Sequence, residues 1–178
     1  GVSKEGGGLN LSMFEQMIVW EQLGRVTNAL SWCFSEAQDW MEENFTTEQK
    51  NQYLKPLLKG EKRECYAITE KGAGSDVDGS INSTAELVGD DYIINGANKA
   101  DFFFFQAKIS NGKNKGTHAL FILDKNIKGI EHIDTPLFSH TYAHHHSIFR
   151  FNNVKISKNN IIGKEGDGMT FTHSWFRH

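Results

Sequence analysis

The chain has 178 residues, 38% hydrophobic and 23% charged, with a formal net charge of −3. That length suits one domain with a real core, or one and a half. The mild acidity leaves no basic footprint for nucleic acid or an acidic membrane surface. No apolar run reaches the ~18 residues that a membrane span requires.

In chain order, the first eight residues, Gly1 to Gly8, lack the apolar core of a signal peptide. They read as a start inside a loop, so a piece of a longer protein is expected. Residues 12–31 are predicted to be helical. Ser12 and Glu15 form a capping-box pair, and Met13, Phe14, Met17, Ile18, Trp20 and Leu23 recur near helical spacing. Those aromatic and Met side chains are expected to be core. Residues 29–41 continue as helix-compatible. Thr46 and Gln49 make a second capping box ahead of a helix over 47–59, with Tyr53, Leu54, Leu57 and Leu58 on one side. Pro56 is expected to kink this helix or tighten its last turn, and Gly60 to stop it.

After Gly60 the period changes from helix to strand, which puts a domain boundary near 60–64. Ile81 to Val88 alternates as a strand, Gly89-Asp90-Asp91 is a hairpin turn, and Tyr92 to Ile94 is the return strand. Phe102 to Phe105 is too continuous for a strand with one wet face and must be covered on both. Thr117–Leu123, Ile130–Ile133 and Ser147–Ile156 are further strands, with Asn152-Asn153 as a bulge. About six or seven short strands at hairpin spacing suggest an antiparallel barrel or sandwich. Gly163 to Gly168 is a loop, and residues 169–178 have helical potential. The order is helical, then β, then the start of more helix, an α+β arrangement.

Chemistry concentrates in Glu64 to Gly79. A strand with Tyr66 and Ile68 on one face and Ala67 and Thr69 on the other turns into Gly72-Ala73-Gly74-Ser75-Asp76. Two glycines one residue apart permit positive φ and close approach of the backbone to a ligand, and Ser75 adds a hydroxyl. By spacing alone, a plain turn competes with a ligand clamp. Gly72-Ala73-Gly74 lacks the third glycine and the following helix of a dinucleotide turn, and no Walker lysine follows. In His144-His145-His146 only the first and third could share a site on a strand, and no carboxylate or Cys stands at zinc-like spacing, so no metal site is expected. His118, His132 and His140 carry no pattern of their own. The pairs Asp90-Asp91 and Glu42-Glu43 read as solvated turn and helix-end residues. Cys33 and Cys65 are not spaced as a pair and are expected to be reduced. No nucleophile elbow surrounds Ser75.

The string Tyr66-Ala67-Ile68-Thr69-Glu70-Lys71-Gly72-Ala73-Gly74-Ser75-Asp76 resembles the signature of the acyl-CoA dehydrogenases, flavoenzymes of fatty-acid and amino-acid catabolism, with Lys71 where the family most often has Pro. The flanks agree. Gly8-Leu9-Asn10-Leu11-Ser12, Glu21-Gln22-Leu23-Gly24-Arg25, Tyr53-Leu54-Lys55-Pro56-Leu57, Gly89 to Gly96, Phe151 to Ile156 and Gly166-Asp167-Gly168 are each similar to family segments. The likeness runs along nearly the whole chain.

That resemblance implies the end of an N-terminal helical domain over 1–63, a middle β domain over 64–163 and the start of a C-terminal helical domain over 164–178, the four-helix bundle itself being missing. It implies FAD as cofactor, an acyl-CoA substrate, an electron-transfer flavoprotein as electron acceptor, a homo-oligomer (dimer or tetramer), and a bacterial cytoplasmic or mitochondrial-matrix location. Tyr66, Ala67, Ile68, Thr69, Gly74 and Ser75 would bind the cofactor, with Thr69 hydrogen-bonding the flavin's pyrimidine side or N5. Ser75 would also bound the pantetheine part of the substrate. The implied reaction is α,β-dehydrogenation to the 2,3-enoyl-CoA, with the α proton taken by a carboxylate and hydride passing from the β carbon to flavin N5. No residue of this chain is assigned as that catalytic base. Alternatives are a flavin oxidase or monooxygenase of the same fold, and a non-catalytic acyl-CoA-binding or assembly chain. The family's flavin-packing Trp and Thr segment is absent after Ala97, where Asn98-Lys99-Ala100-Asp101 follows directly. Removing a central flavin contact while keeping its flanks in frame is hard to fold, so this break is expected to be a gap in the sequence rather than a natural deletion.

Overall fold

The computed structural model describes residues 1–25, 37–70, 72–73, 75–96, 102–136 and 147–175. They fall into two compact units, one holding Gly1–Arg63 and the other starting at Glu64.

In the first unit, α1 spans Met13–Leu23. Its capping box is formed: Ser12 Oγ accepts from Glu15 N, and the Glu15 carboxylate accepts from Ser12 N at 2.7 Å. The helix stops at Gly24, so the described part is shorter than the predicted 12–31, and residues 26–36 lie outside the described residues. The expected burial of its apolar side chains does not occur. Met13, Phe14, Met17, Ile18, Val19 and Trp20 are exposed, and no residue of α1 is buried. Their positions ring most of the helix rather than forming one stripe, so no single face can hide them.

The reading of residues 29–41 as helix fails at Gln38, whose extended backbone caps a new helix, α2, Asp39–Asn44. Thr46 and Gln49 form the second capping box. The next helix is continuous but changes pitch: α3 Thr47–Gln49, a π turn at Lys50–Leu54, then α4 Lys55–Leu58. Pro56 therefore widens the turn before it instead of tightening the last one. It has no N–H to give, its ring would strike the carbonyl four residues back, and a wider turn moves that carbonyl aside. Tyr53, Leu54 and Leu57 are buried as expected.

The second unit is a single sheet. Its strands are β1 Glu64–Ala67, β2 Thr84–Val88, β3 Asp91–Gly96, β4 Phe102–Ile109, β5 His118–Asp124, β6 Ile130–Asp134, β7 Ile148–Ser157 and β8 Ile161–Ile162. The order is β6-β7-β3-β2-β4-β5-β8, with β1 paired to β4. The α+β class holds. The sheet, however, is not closed into a barrel, and β1–β4 and β2–β4 are parallel. Those two pairings join segments far apart in sequence, which hairpin spacing does not reveal. β1 and β2 share one edge of β4: β1 lies along Phe102 to Phe105, and β2 along Lys108 and Ile109.

β4 is the spine. Phe102, Phe103, Phe104 and Phe105 are at most 1% exposed, so both faces are covered as predicted. Burying each ring is worth about 2–3 kcal/mol against leaving it in water. Alternation divides them. Phe103 and Phe105 enter a core with Ala67, Tyr92, Ile94, Phe121 and Phe151. Phe102 and Phe104 point to the opposite face, where Phe104 meets Trp175 at 5.8 Å. That face is overlaid by α6, Gly168–Trp175. Gly168 sits so close to β5 that an added Cβ would lie 2.8 Å from the His118 carbonyl carbon.

The Gly89-Asp90 turn and the bulge at Asn152-Asn153 form as expected. Asn153 takes φ 51°, and the β3–β7 register shifts between Ile94 and Gly96. The predicted strand over 81–88 begins only at Thr84, after a short helical turn, α5, Val77–Ser80. Asp76 sets that turn, its carboxylate accepting from Gly79 N at 2.9 Å and from Ser80 Oγ at 2.8 Å. Asp90 pairs with Lys158, and Asp91 with Lys155 at 3.0 Å.

Candidate functional site

The sequence singled out a strand running into a glycine loop. β1 ends at Ala67, so Ile68 and Thr69 already belong to the loop. Ala67 and Ile68 are buried, at 2% and 6% exposure. Thr69 and Ser75 are exposed, and neither hydroxyl bonds to another described residue. Gly72 takes φ +93°, the left-handed region that favours glycine, with open space where a Cβ would stand. Gly74 lies outside the described residues, as do the Asn98 to Asp101 junction, Cys33, His140 and the three histidines 144–146.

The loop is tightly held between those hydroxyls and the sheet. Glu70 and Ala73 exchange two backbone hydrogen bonds, Ala73 N to Glu70 O at 3.0 Å and Glu70 N to Ala73 O at 3.3 Å. The Glu70 carboxylate accepts from Asn82 N at 2.8 Å and from Ser83 N at 2.7 Å, bracing the loop against the approach to β2. Asp76 closes the far end. The Gly79 amide, then the Ser80 hydroxyl, hold its carboxyl below the usual carboxylate range. Lys108 Nζ donates to Gly79 O at 3.1 Å.

Tyr66, at the start of the loop, faces α6. Its ring lies 4.9 Å from that of Trp175 and 6.1 Å from that of Phe104. Its hydroxyl is 3.1 Å from Thr172 Oγ1 and 3.4 Å from Gln106 Oε1. Burial pushes the phenol well above the usual tyrosine range, with the Thr172 bond acting weakly the other way. Thr172 also donates to Gln106 Oε1. Gln106 Nε2 reaches His118 Nδ1 at 3.0 Å and Met169 Sδ at 3.1 Å. His118 Nε2 lies 3.3 Å from Asp78 O and 3.4 Å from Asp78 Oδ1. Gln106, His118 and Thr172 are all under 5% exposed.

Sequence reading missed Gln106, Thr172, Asp78 and Lys108. The one available signal was a glutamine in the midst of a phenylalanine strand, since a buried amide needs partners. His118 had been noticed only as one of several histidines. Among the described histidines it is the buried one, while His132 stays exposed on the edge strand β6.

Chemically, the arrangement offers two exposed hydroxyls on a rigid, glycine-bearing loop, with an aromatic and polar layer behind it. That suits a ligand with a flat ring and hydrogen-bonding edges.

Known proteins agree on the lineage. Residues 1–61 match the family model "Acyl-CoA dehydrogenase, N-terminal domain". The short-chain-specific acyl-CoA dehydrogenase of Clostridium acetobutylicum is 34% identical over 179 residues, taking in 93% of this chain and 46% of its own length. The crystal structure of acyl-CoA dehydrogenase from Geobacillus kaustophilus superposes with a TM-score of 0.78 at 26% identity, over 97% of this chain and 48% of that one. A chain in the structure of the electron transferring flavoprotein of Acidaminococcus fermentans gives 0.80 at 27% identity, over 97% and 48%. The chain thus spans about half the length of the curated relatives it matches. With the signature string, the sheet and these relatives in accord, the chain belongs to the acyl-CoA dehydrogenase family.

Proposed function

We propose that this chain supplies one side of an FAD site in an enzyme that dehydrogenates an acyl-CoA thioester to the 2,3-enoyl-CoA. The observation that carries this is the pair of exposed hydroxyls, Thr69 and Ser75, which bond to no other described residue, on a loop braced by Glu70 and Asp76. The residues fit the cofactor. A flavin has a flat ring with polar atoms along one edge, and this loop presents hydroxyl donors beside a glycine with no side chain in the way.

In this reading Thr69 hydrogen-bonds the flavin's pyrimidine side or N5. Gly74 and Ser75 bound the cofactor, and Ser75 also the pantetheine arm of the substrate. Ala67 and Ile68 back the ring with buried apolar atoms. Tyr66 has its hydroxyl engaged inward, so it contributes its ring and the backbone of β1. When bound, FAD supplies the acceptor for the hydride lost from the substrate's β carbon. The chain's own part is orientation, which raises rate by converting a loose encounter into a fixed geometry. The carboxylate base is not assigned to this chain.

An electron-transfer flavoprotein is the proposed electron acceptor, in keeping with the likeness to the Acidaminococcus fermentans structure. We take residues 164–178 as the start of a further helical domain, the protein as a homo-oligomer, and its place as the bacterial cytoplasm or mitochondrial matrix. Among the described residues no helix is long and apolar enough to cross a membrane. The test is to add FAD and a short acyl-CoA to the purified protein with an artificial electron acceptor. Flavin absorbance in the protein fraction is expected, with enoyl-CoA formed where the protein also carries the carboxylate base. Protein that stays colourless in excess FAD contradicts the proposal.

A further inference from the structure

The face of the sheet under α6 carries a hydrogen-bond chain that touches both ends of the loop. At one end Tyr66 opens the loop. At the other, the α5 turn closes it. Between them stand Gln106 and His118, neighbours on β4 and β5. Register sets β4 Gln106 opposite Leu120 and Lys108 opposite His118, so the two side chains meet on a diagonal of the same face.

The directions of the bonds are fixed by the partners. Gln106 Oε1 receives the Thr172 hydroxyl and faces that of Tyr66, so it is the acceptor end of the amide. Gln106 Nε2 then faces His118 Nδ1 and the Met169 sulfur, both acceptors. His118 Nδ1 must be bare, which places its one proton on Nε2, pointing at Asp78 O. Tyr66, Gln106 and His118 then all donate toward the surface at Asp78, while the Thr172 hydroxyl has a second acceptor in Gly168 O at 3.1 Å.

We propose that Gln106 and His118 are positioning residues that couple the two ends of the Ile68–Asp76 loop, so that proton uptake by His118 is read at Tyr66 and at the Thr69 and Ser75 hydroxyls. A proton on Nδ1 would set two N–H groups face to face. The Gln106 amide must then turn over, presenting nitrogen to Thr172 and Tyr66, and the Thr172 hydroxyl must swing from Gln106 to its other acceptor, Gly168 O at 3.1 Å, which changes what Tyr66 meets. The change reaches the loop at its two ends, which Tyr66 on β1 and the α5 turn set. Its strand neighbours are locked in the sheet, and α6 is pinned where Gly168 meets the β5 backbone. Two charged groups face His118. Asp78, 77% exposed on α5, favours the protonated ring, while Lys108 on β4 opposes it. From α6, Met169 and Thr172 bond to its partner Gln106, and both are uncharged.

The consequence for ligand binding rests on the flavin reading above, whereas the coupling itself does not. The experiment separates them. In the purified protein, long-range 15N spectra of the imidazole give the His118 tautomer and midpoint, and amide spectra follow Thr69, Ser75 and Gly79. Neutral His118 is expected with its proton on Nε2, and the three amides are expected to shift with the His118 midpoint. His118→Asn keeps an acceptor facing Gln106, and His118→Gln keeps a donor facing Asp78. Neither titrates, and both are expected to abolish the amide shifts. Gln106→Leu is expected to leave His118 titrating while Thr69 no longer follows. In parallel, the Kd for FAD is expected to rise about tenfold below the His118 midpoint in the native protein, the worth of about one hydrogen bond, and to stay flat in His118→Asn. Amides that ignore His118, or variants that keep the native pH dependence, overturn the coupling. A native protein that takes no FAD, with amides that do follow His118, overturns the flavin reading and leaves the coupling standing.

Discussion

Tyr66 and Thr172 join hydroxyl to hydroxyl at 3.1 Å across 106 positions of sequence. The bond ties β1, the strand that leads into the glycine loop, to α6, near the end of the described chain. It lies on the face opposite the main phenylalanine core. Thr172→Val removes this partner of the buried phenol. A loss of about 1–3 kcal/mol is expected, measured as a lowered urea midpoint with unchanged slope. An unchanged midpoint would mean that the two hydroxyls are not coupled.

Tyrosine ionisation can be read residue by residue. Burial raises the phenol of Tyr92, and its bond to the Glu165 carboxylate at 2.7 Å and the charge of that carboxylate raise it further. Glu165→Gln removes the charge while keeping an acceptor. Tyr92 is then expected to ionise at lower pH than in the native protein, with Tyr66 unmoved, in a phenolate absorbance titration. Equal titrations in the two proteins would contradict the assignment.

Acid stability follows from His118. Burial pushes its imidazole below the usual histidine range, outweighing the help of Asp78. The unfolded chain thus binds this proton more readily than the folded one. The contribution is fully present above about pH 6.5 and is lost as pH falls through the folded value. Stability should decline less steeply between about pH 7 and pH 5 in His118→Asn than in the native protein. Parallel declines would remove His118 as the cause.

Close packing predicts a cost at Gly168. A Cβ there would lie 2.8 Å from the His118 carbonyl carbon and 2.9 Å from Ala119 N, backbone atoms that cannot swing aside. Gly168→Ala should cost about 1–3 kcal/mol by overpacking, seen in thermal melting. A neutral result would mean that α6 can lift from β5.

Much of the fold was legible because its signals are local. Both capping boxes, the Gly89 turn, the Asn152-Asn153 bulge and the doubly covered phenylalanines depend on neighbours within a few residues. What escaped depends on distance. The parallel pairing of β1 with β4 joins residues nearly forty apart, so no turn residue announces it, and hairpin spacing left a barrel or a sandwich open where the sheet is not closed. The exposure of Met13, Phe14 and Met17 escaped too, because periodicity registers apolar residues without saying what covers them. At the site, Thr69 and Ser75 were named from one contiguous string. Gln106, Thr172 and Asp78 were not, since each gains meaning only from a partner on another element.

The most direct test of the central claim is equilibrium titration with FAD of the native protein, Thr69→Val and Ser75→Ala, following flavin absorbance and fluorescence. Native protein is expected to bind FAD. Thr69→Val is expected to weaken binding about tenfold through loss of one hydrogen bond, with a smaller loss for Ser75→Ala and no change in thermal stability. Native protein that takes up no FAD, or variants that bind it as well as the native protein does, would contradict the account.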